Sequence, residues 1–178
     1  MIMKVVICLT GASASVVGLK LIKELEGKVD LIKLISENGK KVLEIETGEK
    51  MVSDYSCNDF TAPIASTSNN VDVVVVCPCS AATLGKIANG ITDNLITRVS
   101  DGCLRTGKKL IVCPRETPIS LPQVENMGKI LKAGGIVLPL NVAFYNKPKN
   151  IDDIVSFFAG KILDVAGIEN NLYKRWRE

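Results

Sequence analysis

The sequence predicts an α/β fold, a doubly wound parallel sheet forming a single domain over residues 1–178. Short aliphatic runs recur along the chain, and helix-like stretches separate most of them. The first, third and fourth runs are near-continuous rather than alternating, which suits strands covered on both faces. Strands alternating with helices imply parallel pairing through right-handed crossovers. A length of 178 residues fits about one domain.

The strands are read in order as residues 3–9 (MKVVICL), 29–36 (VDLIKLIS), 71–77 (VDVVVVC), 109–113 (KLIVC) and a shorter 136–138. A helix is expected over 93–105. The clearest helix is the last. Asn150 is its candidate N-cap, Asp152 and Asp153 favour its first turn, and Gly167 closes it. Its apolar positions Ile151, Ile154, Val155, Phe158, Ile162 and Val165 follow the 3.6-residue period. Residues 53–70 are polar, rich in Ser and Asn, and long for a simple connection, which marks a candidate functional loop.

Composition narrows the chemistry. The chain contains no His, which removes Ser-His-Asp and Cys-His catalysis and His-ligated metals. Proton transfer must then fall to carboxylates, Lys, Tyr, Cys or the substrate. A net charge of +3 is too small to imply nucleic acid. No apolar run approaches the ~20 residues of a membrane span, and no secretory leader is legible. Three of the six Cys (Cys8, Cys77 and Cys113) lie in or at the end of aliphatic runs, as buried free thiols do in a reducing cytoplasm. Cys77-Pro78-Cys79 lacks a second ligand pair, so no metal site is expected.

In open α/β sheets ligands bind beyond the carboxyl ends of the strands. Here those ends read Thr10-Gly11-Ala12-Ser13-Ala14-Ser15, Ser36-Glu37-Asn38, Pro78-Cys79-Ser80-Ala81-Ala82-Thr83 and Pro114-Arg115-Glu116-Thr117-Pro118. Three of them offer small hydroxyl residues just before a helix. Such residues cap helices, and together with free N–H groups they form anion sites. The first turn is neither G-x-G-x-x-G nor a Walker P-loop, so a dinucleotide or a nucleoside triphosphate is disfavoured. One phosphate, one polar chain and one flat ring, as in FMN, suit this surface better. Cations form a second feature. Arg98 and Arg105 share a helix face about 10 Å apart, with Asp101 between them as a possible partner. Arg115 follows the fourth strand, and Lys161 borders the apolar stripe of the last helix, where partial burial is expected.

At these residues the chain resembles the UbiX-type flavin prenyltransferases over nearly its whole length. The stretch PCSAATLGKIANGITDNLITRVSD (78–101), then LIVCPRETPIS (110–120), carries the likeness, supported by TGAS (10–13), APIAS (62–66), ENM (125–127), AFYNKP (143–148) and RW (175–176). The order P-C-S-x-x-T, D-N-L-x-x-R, P-R-E-T-P is highly specific. Cysteine decarboxylases of the same superfamily depend on a histidine that this chain lacks.

The resemblance implies a flavodoxin-like, Rossmann-like fold and a homododecamer with sites at subunit interfaces. It implies transfer of a dimethylallyl group from dimethylallyl phosphate to N5 and C6 of reduced FMN without a metal. The product, prenylated FMN, would serve a UbiD-type decarboxylase. By position, Gly11, Ala12, Ser13, Ser36, Ser80, Ala81, Ala82, Thr83 and Arg115 match FMN contacts, with Ser13 beside N5 and Glu46 a carboxylate near the flavin. Tyr145, Lys161, Arg98, Arg105, Arg115 and Glu116 match residues around the prenyl phosphate. Ser13, Glu46 and Glu116 are the catalytic candidates, with Glu116 and the departing phosphate exchanging protons. Family members commonly carry Gly where this chain has Ala14, Lys at Arg105, and in some cases Trp at Phe60. Trp176 is read as a surface anchor or as a cover for a neighbouring subunit's pocket. An FMN-dependent reductase and a non-catalytic flavin carrier remain alternatives on the same fold.

Overall fold

The computed structural model describes residues 2–69 and 71–175. Trp176 therefore lies outside the described residues. Five strands form one parallel sheet: β1 (Lys4–Leu9), β2 (Asp30–Ile35), β3 (Val73–Cys79), β4 (Lys109–Pro114) and β5 (Ile136–Val137), in the order β2-β1-β3-β4-β5. This is the flavodoxin-like order, whose topological switch point lies between β1 and β3. The third strand starts two residues later than the sequence reading and runs on through Pro78 to Cys79. Its register with β4 shifts between Val76 and Cys79. Pro78 lacks an N–H, but its carbonyl is used: it accepts bonds from Thr10 N (3.2 Å) and Thr10 Oγ1 (2.8 Å).

Among the described residues six helices cover the sheet: α1 (Ser15–Leu25), α2 (Glu37–Thr47), α3 (Ala81–Ala88), α4 (Leu95–Thr106), α5 (Leu121–Lys132) and α6 (Ile151–Ala166). Alternate residues of each strand feed two separate cores. Val5, Ile7 and Leu9 join Val73, Val75 and Cys77 beneath α1, α2 and α6. Val6 and Cys8 join Val74, Val76 and Cys79 beneath α3, α4 and α5. The run Val73–Val76 is almost wholly buried, and each such valine contributes about 1.5 kcal/mol or more. This explains why β3 reads as a continuous aliphatic run. Helix α1 approaches closely because position 18 is glycine. A Cβ there would collide with the Cys77 carbonyl oxygen and lie 2.9 Å from Leu9 Cγ.

The helix boundaries follow local chemistry. Asn94 Oδ1 accepts from Thr97 N (3.0 Å), and Thr97 Oγ1 accepts from Asn94 N (3.3 Å), a reciprocal cap that starts α4 two residues after the expected Asp93. For α6, Asn150 Oδ1 accepts from Asp153 N (2.9 Å), and Gly167 closes the helix at φ 83°, as the sequence reading has it. Within residues 53–69 a short 3-10 turn, Pro63–Ala65, buries Ala62 and Ile64 in the second core. Cys8, Cys77, Cys79, Cys103 and Cys113 are buried free thiols. Burial pushes Cys103 up to about 11 and raises Cys8, Cys79 and Cys113 above the ordinary thiol value as well, so these thiols stay protonated. Among the described residues no helix is long and apolar enough to cross a membrane.

Candidate active site

The carboxyl ends of β1 and β3 are stitched together. Thr10 Oγ1 donates to the Pro78 carbonyl and accepts from Ser80 N (2.8 Å), which holds the first and third loops side by side at the switch point. Ser80 then caps α3: its Oγ accepts from Thr83 N (3.3 Å) and lies 3.0 Å from Thr83 Oγ1. Ser36 caps α2 in the same way, accepting from Gly39 N (3.0 Å). Both serines thus have the local structural role that any serine before a helix can take.

The first loop is built differently. Ala14 occupies the cap position of α1 at φ 79°, in the left-handed region, and its side chain supplies no cap. Glu46, from the end of α2, reaches across instead. One carboxylate oxygen accepts from Ser13 Oγ (2.5 Å) and Ala14 N (3.0 Å), and the other from Ser15 N (2.8 Å) and Ser15 Oγ (2.5 Å). Partial burial opposes ionisation of Glu46. The bonds from Ser13, Ser15 and Ala14 outweigh it and hold the carboxyl below its usual range. The positive end of α1 is therefore already met by the chain's own carboxylate. A ligand phosphate expected at any of the three loops finds the first one filled. Ser13 is engaged as a donor, so its outward-facing groups are oxygen lone pairs. No sequence signal other than the resemblance points to Glu46, because its partners lie more than 30 positions away on another helix.

Beyond β3, β4 and β5 a cleft, partly open to solvent, is lined by Ala81, Leu84, Arg115, Glu116, Met127 and Leu140 among others. Arg115 Nε is buried and has no hydrogen-bond partner among the described residues. A buried guanidinium nitrogen without a partner is costly, and an anionic group in the cleft would satisfy it. Ala81, the first residue of α3, lines the same cleft, and a helix start favours an anion. These features fit a phosphate-bearing planar ligand such as FMN. Glu116 is exposed, and neither it nor Arg115 forms an ion pair among the described residues.

The remaining candidates lie elsewhere. Arg98 Nε donates to the Ala65 carbonyl (3.1 Å), and Arg105 Nε donates to Asp101 (2.7 Å). Both line one groove with Phe60, Thr61 and Ser66, so the shared face is as expected and residues 60–69 form its wall. Arg105 closes α4, which leads into the first residue of β4, whereas Arg115 follows the last. The two therefore belong to opposite edges of the sheet. Tyr145 and Lys161 lie on the other face, with α6. Tyr145 packs edge-on against Phe157 (6.0 Å), and partly buried Lys161 sits 5.9 Å from the Tyr173 ring centroid. One chain accordingly does not gather Arg98, Arg105, Arg115, Tyr145 and Lys161 into a single cationic cluster, because α4 carries the first two, the segment after β4 the third, and α6 with the turn before it the last two.

A flavin-binding α/β protein is what this fold and strand-end geometry define, and the family described as Flavoprotein matches residues 2–163. Flavin prenyltransferase UbiX of Methanocaldococcus jannaschii is 45% identical over 181 aligned residues, which cover 98% of each chain. The crystal structure of AnUbiX (PadA1) in complex with FMN and dimethylallyl pyrophosphate superposes with a TM-score of 0.96 at 30% identity, over 100% of this chain and 99% of that one. A dodecameric FMN-dependent UbiX-like decarboxylase from Escherichia coli does so with a TM-score of 0.93 at 34% identity, over 99% of this chain and 100% of that one. The chain belongs to the flavoprotein family and, within it, to the UbiX flavin prenyltransferases. The reductase and flavin-carrier alternatives are not favoured by these relatives.

Proposed function

We propose that the chain acts, as one FMN-binding unit over residues 1–178, to join a dimethylallyl group from dimethylallyl phosphate to N5 and C6 of reduced FMN. The prenylated FMN so made is the cofactor of a UbiD-type decarboxylase. The observation that carries the reading is the pairing of a flavin-type strand-end site with separate cationic surfaces, in a chain 45% identical to a flavin prenyltransferase. Bound reduced FMN supplies the nucleophilic ring. Gly11, Ala12, Ser13, Ser36, Ser80, Ala81, Ala82, Thr83 and Arg115 hold it at the carboxyl edge of the sheet.

The chain's own part is to ionise the prenyl ester and move protons. Departure of a phosphate is helped by preorganised cations that need no reorganisation as charge develops. Arg115, Lys161, Arg98 and Arg105 supply them, with the Tyr145 hydroxyl as a donor, so no metal is required. Arg98 and Arg105 lie on the opposite face of the sheet from Tyr145 and Lys161. A complete site therefore draws on several copies, which supports an oligomer with sites at its interfaces, a homododecamer like the E. coli neighbour. Ser13 offers lone pairs to the flavin edge while its proton is held by ionised Glu46. Glu116 and the departing phosphate exchange the remaining protons. The buried free thiols support a cytoplasmic setting.

The test is anaerobic incubation with reduced FMN and dimethylallyl phosphate, followed by mass spectrometry. A flavin heavier by one five-carbon unit is expected. FMN of unchanged mass with both the phosphate and the diphosphate ester would overturn the reading.

A further inference from the structure

Residues 170–175 are strapped onto α6 by an arrangement that the prenyl-transfer reading does not use. Asp164 accepts from Tyr173 OH (2.5 Å), from Arg175 Nη1 (3.0 Å) and Nη2 (2.8 Å), and from Asn170 Nδ2 (2.9 Å). Asn170 also donates to the Gly160 carbonyl (3.2 Å). Gly160 stands in the interior of α6, where glycine costs about 0.5–1 kcal/mol relative to alanine. The structure shows what it permits. A Cβ at that position would collide with Tyr173 Cδ1 and lie 2.9 Å from Asn170 Oδ1. The helix gives up propensity there so that the Tyr173 ring can lie against its backbone.

That ring sits at the junction of two groups assigned to the substrate. Lys161 Nζ lies 5.9 Å from its centroid, within reach of a cation–π attraction. Phe157 packs edge-on against it at 5.2 Å, and Tyr145 packs edge-on against Phe157 at 6.0 Å. Burial opposes ionisation of Asp164, but the bonds from Arg175, Tyr173 and Asn170 outweigh it and hold the carboxyl below its usual range. Burial and the Asp164 carboxylate push Tyr173 up to about 12, so its hydroxyl remains a donor.

We propose that Tyr173, anchored by Asp164, is a positioning residue for the prenyl phosphate: it braces Lys161 directly and Tyr145 through Phe157. This rests on the assignment of Tyr145 and Lys161 to that phosphate. The Tyr173 ring touches neither flavin nor substrate in this role. It restricts where the ammonium and the phenol can go before the ester arrives, which lowers the cost of ordering them on binding.

The test is steady-state kinetics with dimethylallyl phosphate on the FMN-loaded full chain, with FMN affinity and melting temperature read alongside. Tyr173→Leu is expected to raise KM about tenfold, with kcat and FMN affinity near wild type. Tyr173→Phe keeps the ring but loses its bond to Asp164, so its KM should fall between those of wild type and Tyr173→Leu. Gly160→Ala, which crowds the ring without altering any substrate group, should raise KM in the same direction. A wild-type KM in Tyr173→Leu overturns the proposal, and so does a parallel fall of FMN affinity, kcat and melting temperature in all three variants. If Tyr173→Leu does not fold, an unchanged KM in both Gly160→Ala and Asp164→Asn overturns it. These outcomes differ from failure of the prenyltransferase reading, in which wild-type protein loaded with FMN neither binds nor consumes either ester.

Discussion

The helices that succeed β1 and β3 begin side by side at the switch point, yet their positive ends are met in opposite ways. Helix α3 is capped by its own Ser80, a neutral group that leaves the end of the helix attractive to an anion. Helix α1 starts at a left-handed Ala14 and takes both oxygens of Glu46 from α2. A negative charge is already in place there, and a second one would be repelled. The contrast teaches that hydroxyl-rich turns which look alike in sequence divide into two kinds of surface. The β3 loop, near an Arg115 Nε without a partner among the described residues, is suited to a phosphate. The β1 loop is suited to an uncharged ring edge that needs an ordered hydroxyl and a nearby carboxylate.

The largest effect should come from removing the charge that distinguishes the two helix starts. Glu46→Gln is expected to lower prenyl-transfer turnover about a hundredfold while FMN is still bound, as read by anaerobic single-turnover mass spectrometry. Wild-type turnover would reduce Glu46 to a cap of α1. On the other side, Ser80→Ala should cost about 1 kcal/mol, a fall of roughly 2–4 °C in melting temperature, and should weaken FMN binding measured by fluorescence quenching. An unchanged FMN affinity would show that α3 is not the phosphate end.

The acid response should sharpen the same comparison. The carboxyl of Glu46 is held below its ordinary value of 4.5 in the folded chain. The folded state therefore binds its proton less readily than the unfolded state does. The stability this contributes is complete above that ordinary value and is lost as pH falls through the lowered one. Denaturant midpoints measured across this range should drop less steeply in Glu46→Gln than in wild type, and identical slopes would contradict the linkage. The smallest effect is expected at Ala14. Its φ of 79° suits glycine, so Ala14→Gly should gain up to about 1 kcal/mol in chemical denaturation. A loss would mean that the Glu46 bonds depend on the alanine.

Much of the fold is legible in the linear sequence. Asn150, Ser36 and Ser80 announce helix starts because a cap bond spans only three residues. The aliphatic runs announce central strands because both faces are covered. The start of β3 is not legible in the same way. Val71 and Asp72 look as strand-like as Val73 and Val74, and the pairing partner decides where the ladder begins. The cationic residues are legible as a set, but their distribution over two faces is not.

By itself the sequence determined the parallel α/β architecture, the capped turns at the strand ends and, through its ordered motifs, the flavin prenyltransferase family. These depend on residues within a few positions of one another, or on patterns preserved in linear order. Only the tertiary structure decided that Glu46 fills the start of α1, that Arg105 and Arg115 belong to opposite edges, and that Tyr173 lies in the notch left by Gly160. The first two depend on how distant segments are ordered on a common sheet, and the third on the segment after α6 turning back along that helix, a return that no periodicity in the sequence announces.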